Sequence, residues 1–326
     1  TMFWIILIVV FIGAISFVLF LTCKHAVHSP LNTATLSSFD SPIIPNLVKS
    51  EASDTHKAIE QFLQKVDPSL SLLSKKDRLM KMRKTMDDGG VRIEIPAKII
   101  PVNCTDVANT KYPLLKNSPQ AVRGEWVISP NINNERRILY IHGGAFYLGS
   151  PQSHRIITNK FSEIANAAIF SLDYRLRPEH PRLASLEDCK NAYLWLLENG
   201  PEGKTNNEKI IIAGDSAGGN LCLSLLTWIR DEKLPSPEAA ICISPVTDST
   251  LSSPSITKNL DKDAMLQSGM KELLKCSKTT LLIGGWLDNK VKLTDPRISP
   301  LFGDLANLPP TLIQVSDTEC LEDDAR

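Results

Sequence analysis

Short apolar runs alternate with amphipathic ones along most of this chain. Trp126–Ile128, Arg137–Ile141, Ala168–Leu172, Lys209–Ala213, Ala239–Ile243 and Thr311–Val315 are strand-length and rich in Val, Ile and Leu. Between them, Ser153–Ala165, Ser185–Glu198 and Ala217–Arg230 repeat apolar residues at helical spacing. This alternation predicts βαβ units, and hence an α/β fold with a mostly parallel sheet flanked by helices, over residues 91–326. Residues 250–292 break the rhythm with mixed, weakly helical sequence and are expected to form a cap inserted between two strands.

The preceding region is organised differently. Residues 54–90 read as a helical cap segment, with Ile59, Phe62, Leu63 and Val66 on one face and Gly89-Gly90 expected to break the helix. Its basic run from Ser74 to Lys84 reads as a solvated face, with lipid contact as the sharper alternative. Residues 23–53, rich in Ser, Thr and Pro, read as a linker.

Met2–Thr22 carries no charge. At about 1.5 Å per residue it reaches across a bilayer core of about 30 Å. A basic leader is missing and Leu21-Thr22-Cys23 is a poor cleavage site, which favours an uncleaved transmembrane anchor over a signal peptide or a buried helix. Lys24, just after the span, leans weakly towards a cytosolic body.

Composition narrows the field. The chain has 326 residues, 43% hydrophobic and 22% charged, which suits one large α/β domain with appendages. Lys plus Arg and Asp plus Glu both total 36, so the net charge is zero and nothing points to nucleic acid. Seven dispersed cysteines without a C-x-x-C pair give neither a zinc site nor a disulfide framework, and leave open one bridge between distant cysteines.

The chemistry is concentrated in two turns. Gly214-Asp-Ser-Ala-Gly218 follows an apolar strand and opens a helix, the context that makes a G-x-S-x-G string a nucleophile elbow presenting Ser216. His142-Gly143-Gly144-Ala145 follows another strand. With Ala217, the N–H groups of Gly143 and Gly144 form a plausible oxyanion hole, where one donor is worth about 3–4 kcal/mol of transition-state stabilisation.

Further motifs in the same order are Gly149-Ser150-Pro151 with His154-Arg155, Asp173-Tyr-Arg-Leu-Arg-Pro-Glu-His-Pro181, Ser244-Pro245 with Asp248, and Leu308–Val315. Together these motifs resemble the hormone-sensitive-lipase-like branch of the α/β hydrolases, which includes arylacetamide deacetylases and many microbial carboxylesterases. The resemblance runs from about Gly124 to Arg326. It implies the α/β-hydrolase fold, hydrolysis of small hydrophobic esters or acetyl amides through an acyl-serine, and no metal or cofactor. It also implies a body in the lumen of the endoplasmic reticulum, and the N-x-T acceptor Asn103-Cys104-Thr105 offers a test of that side.

The triad in such folds runs serine, acid, histidine along the chain. Counting back from Leu321-Glu-Asp-Asp324 places the acid at Glu319, with Asp317 as the alternative. The base is missing. All six histidines (25, 28, 56, 142, 154 and 180) precede Ser216. His142 is expected to make a structural bond in the oxyanion loop, His154 to cap or pack a helix and His180 to fix a loop.

In relatives the base follows one more strand and precedes a final helix, whereas this sequence stops at Arg326. Either the sequence is the first part of a longer protein, as Thr1 ahead of Met2 also hints, or it is a shortened inactive relative. Two functions follow: a serine esterase, or a non-catalytic binding protein built on the same fold.

Overall fold

The computed structural model describes residues 73–91, 95–105, 111–112, 115, 121–132, 135–205, 209–274 and 291–326. The anchor expected over 2–22, the linker 23–53 and the first part of the 54–90 segment lie outside the described residues. Among those described, no helix is long and apolar enough to cross a membrane.

Seven strands form one sheet: β1 (Lys98–Cys104), β2 (Val122–Ile128), β3 (Arg137–Ile141), β4 (Ala168–Leu172), β5 (Ile210–Asp215), β6 (Ala239–Ile243) and β7 (Thr311–Gln314). Their spatial order is β1-β2-β4-β3-β5-β6-β7. β2 is antiparallel to both β1 and β4, and every pairing from β4 to β7 is parallel.

All five residues of β3 are buried because helices cover both faces of the sheet. Leu139 and Ile141 join Trp126, Phe170, Tyr193, Trp195 and Leu221 on one side. Ile138 and Tyr140 join Val127, Ile157 and Ile169 on the other. The covering helices are α2 (Arg155–Ala165), α3 (Arg182–Leu196) and α4 (Ala217–Asp231). Asn166 stops α2 in the left-handed conformation, φ 49, which Asn tolerates better than most residues.

Two expectations need correction. Helix α1 (Lys75–Val91) runs through Gly89-Gly90 instead of breaking there. Ser74 caps its start, accepting the Asp77 N–H at 3.1 Å, and Lys84 pairs with Asp88 one turn on. Those contacts, with Leu79 and Met82 buried against Tyr147 and Leu148, outweigh a glycine cost of about 1 kcal/mol each.

Nor is the basic run simply solvated. Arg83 donates to Tyr147 O and Arg177 O, both at 2.8 Å, and forks onto Glu179. β1 escaped the pattern reading because Pro101 interrupts it. Its position at the sheet edge, with β2 on one side, is where proline is tolerated.

Between β6 and β7 lies the insertion, described here as α5 (Ser255–Lys258) and α6 (Gln267–Leu274). A short α7 (Glu322–Ala325) follows the turn after β7.

Candidate active site

Ser216 alone joins β5 to α4, and it bends the chain with φ 52 and ψ −114. A serine held there stores about 1–3 kcal/mol of strain that its surroundings must over-determine. Its N–H donates to Ile243 O at 2.7 Å, and its carbonyl accepts from Asn220 at 3.1 Å and Val246 at 3.3 Å. The end of β6 and the first turn of α4 therefore hold the bend. Its Oγ is buried and has no hydrogen-bond partner among the described residues.

The glycines explain how the elbow meets the neighbouring loop. A Cβ on Gly218 would collide with the carbonyl oxygen of Ile141, so α4 starts hard against the end of β3. The loop beyond β3 curls through left-handed geometry at Gly144 (φ 116), Ala145 (φ 48) and Phe146 (φ 68). Gly144 O closes that curl by accepting from Tyr147 and Leu148.

The structure separates the three N–H groups expected to form the hole. Gly143 N–H donates to Asp215 Oδ1 at 3.0 Å and is not available to a substrate. Those of Gly144 and Ala145 make no hydrogen bond among the described residues. Ala217 is the first residue of α4, so its N–H has no partner within the helix.

Beneath the elbow lies a buried polar cluster that the sequence reading missed. Asp215 Oδ1 also accepts Tyr140 OH at 2.7 Å, and its Oδ2 lies 3.8 Å from His154 Nε2. Burial pushes the Asp215 carboxyl up, but His154, Tyr140 and His142 together leave it below its usual value. Tyr140 is pushed well up, first by burial and then by Asp215.

His142 stacks on Tyr174 at 4.2 Å and bonds Gly143 O through Nδ1 at 2.7 Å. A carbonyl only accepts, so Nδ1 carries the proton. Burial, reinforced by His154, lowers its pKa to about 3. Asp215 sits inside the elbow motif, so its position was visible in the sequence; the partners that converge on it were not.

Glu319 lies on the turn after β7. Its Oε1 accepts Ser316 N–H at 3.0 Å, while Oε2 is buried and has no partner among the described residues. Burial raises its pKa against the pull of the Ser244 hydroxyl and Ser316 N–H. Asp317 is exposed. Of the described histidines, His142 is engaged with Gly143, His154 accompanies Ser153 and Asp215, and His180 is exposed. None links Ser216 to Glu319.

No group of three or more His, Cys, Asp or Glu among the described residues is arranged to hold a metal. Cys189, Cys222, Cys242 and Cys320 are buried thiols.

Residues 138–326 match the family model described as alpha/beta hydrolase fold. An acetyl-hydrolase of Streptomyces hygroscopicus is 41% identical over 206 residues, covering 62% of this chain and 63% of that protein. An esterase of Acinetobacter venetianus is 37% identical over 210 residues, covering 63% of each. The chain thus spans under two thirds of these relatives.

Among solved structures, the hormone-sensitive-lipase homologue EstE7 from a metagenome library is 28% identical, with TM-score 0.64, covering 83% of this chain and 80% of that one. EstE5, in a crystal soaked with p-nitrophenyl butyrate, is 32% identical, with TM-score 0.62 and the same coverage. A strained serine at a strand–helix elbow, a curled glycine loop against it and these matches agree, and the chain belongs to the hormone-sensitive-lipase-like α/β hydrolases.

Proposed function

We propose that the protein is a serine carboxylesterase acting on small hydrophobic esters through an acyl-enzyme on Ser216. The observation that carries this is Ser216 at φ 52, with an unpartnered Oγ beside a loop whose Gly144 and Ala145 N–H groups are unengaged. Ser216 Oγ attacks the carbonyl carbon and gives up its proton to a histidine base, a group that none of the described residues supplies. The oxyanion is received by the N–H groups of Gly144, Ala145 and Ala217. Collapse expels the alcohol, which takes that proton, and water then releases the acid.

Glu319 is the acid that orients the base, supported by its buried, unpartnered Oε2; Asp317, exposed, fits this role less well. Short acyl groups are favoured because one relative is named an acetyl-hydrolase and one neighbour was soaked with a butyrate ester. The charge-free run Met2–Thr22 supports a membrane anchor. Glycan attached at Asn103, which is exposed on β1, would place the body in the lumen.

A second reading, a non-catalytic binding protein, is favoured by one observation: no described histidine touches Ser216 or Glu319. Hydrolysis of p-nitrophenyl butyrate by the full-length protein decides between them. Turnover well above a Ser216→Ala control supports the esterase, and equal turnover supports the binder.

A further inference from the structure

Ser255, Asn259 and Asp263 stand four residues apart in the insertion between β6 and β7, and all three polar side chains are buried. Each grips the turn that carries Glu319. The two N–H groups of Asn259 Nδ2 are shared among Asp317 O at 3.0 Å, Glu319 O at 2.8 Å and the Glu322 carboxylate at 3.0 Å. Three acceptors around one atom identify it as the amide nitrogen. Its Oδ1 is buried without a partner among the described residues, so what this side chain supplies is its donors.

Asp263 works from the other side. Its Oδ2 accepts the Cys320 N–H at 2.7 Å, while Oδ1 takes those of Met265 and Leu266 at 3.0 and 2.8 Å just ahead of α6. Ser255 Oγ donates to Cys320 O at 2.7 Å and accepts the Asp323 N–H at 3.0 Å. One segment therefore holds the backbone at residues 317, 319, 320 and 323.

We propose that Ser255, Asn259 and Asp263 are positioning residues that set the Glu319 carboxylate from the inserted segment. This rests on the reading of Ser216 and Glu319 as nucleophile and acid. The acid acts on the base during chemistry and not on bound ester. Loosening the clamp therefore lowers kcat and leaves KM in place.

The test uses the full-length protein, with p-nitrophenyl butyrate as substrate. Asn259→Ala should lower kcat about tenfold to a hundredfold, the scale of a displacement of about 1 Å, with KM within about twofold. Asn259→Gln, which keeps the donors, should recover part of that loss. A folded Asn259→Ala with kcat within about twofold of the parent overturns the proposal, as does a loss confined to KM.

If Asn259→Ala does not fold, Ser255→Ala, which removes only the bonds to Cys320 O and Asp323 N, should give a smaller kcat loss at constant KM. An unchanged kcat there overturns the proposal equally. Parent-level turnover in Ser216→Ala would instead remove the reading on which the clamp rests.

Discussion

The backbone N–H of Gly143 donates to Asp215 Oδ1 at 3.0 Å, so the residue next to the nucleophile anchors the loop that faces it. The same oxygen takes the Tyr140 hydroxyl at 2.7 Å. Asp215→Ala leaves two buried donors unpaired at about 1–3 kcal/mol each, and should lower both unfolding free energy and kcat. Asp215→Asn keeps an oxygen for both donors and should lose much less. Urea unfolding and ester turnover, measured together on both variants, check this.

Two glycine substitutions should have opposite outcomes. Gly218→Ala drives its Cβ into the Ile141 carbonyl oxygen and should cost several kcal/mol or prevent soluble expression. Gly89→Ala, with nothing within 4 Å of the added carbon, should stabilise α1 by about 0.5–1 kcal/mol. Thermal melting reads both.

His142 makes stability fall with acid. Its folded pKa is lowered from 6.5 to about 3, chiefly by burial, so between those values the unfolded chain binds a proton that the fold refuses. The contribution is fully present above 6.5 and is lost as pH falls below it, with a slope approaching about 1.4 kcal/mol per pH unit. His142→Asn, which does not titrate, should show a flatter dependence over that window. Denaturant melts at stepped pH, compared between the two proteins, measure the difference.

Glu319 and Asp317 are separable by single substitutions. Glu319→Gln should lower kcat by about 10³–10⁴-fold, the scale of losing a triad acid, and Asp317→Asn should leave it near the parent value. Burial raises the folded pKa of Glu319, so its contribution to stability is present at low pH and lost as pH rises through that value. Glu319→Gln should therefore be no less stable than the parent at neutral pH, and a Tm measurement separates lost chemistry from lost fold.

The central strands were legible because a strand covered on both faces writes an unbroken apolar run, as Ile138-Leu-Tyr-Ile141 does. The elbow was legible because Gly214 and Gly218 are needed where strand, turn and helix crowd one another. β1 was not, since Pro101 mimics a loop. Gly143 was assigned to the oxyanion hole because sequence does not tell which of two adjacent glycines turns its N–H towards Asp215. The role of Ser255, Asn259 and Asp263 was equally hidden. Buried polar residues that hold backbone groups carry no apolar periodicity, and their segment read only as mixed sequence.

The most direct test of the central claim is covalent capture of Ser216. Full-length protein incubated with a fluorophosphonate and mapped by peptide mass spectrometry should carry one adduct, on Ser216, which p-nitrophenyl butyrate suppresses and Ser216→Ala abolishes. Ester turnover that survives Ser216→Ala, or an adduct on another residue with Ser216 unlabelled, would contradict the account.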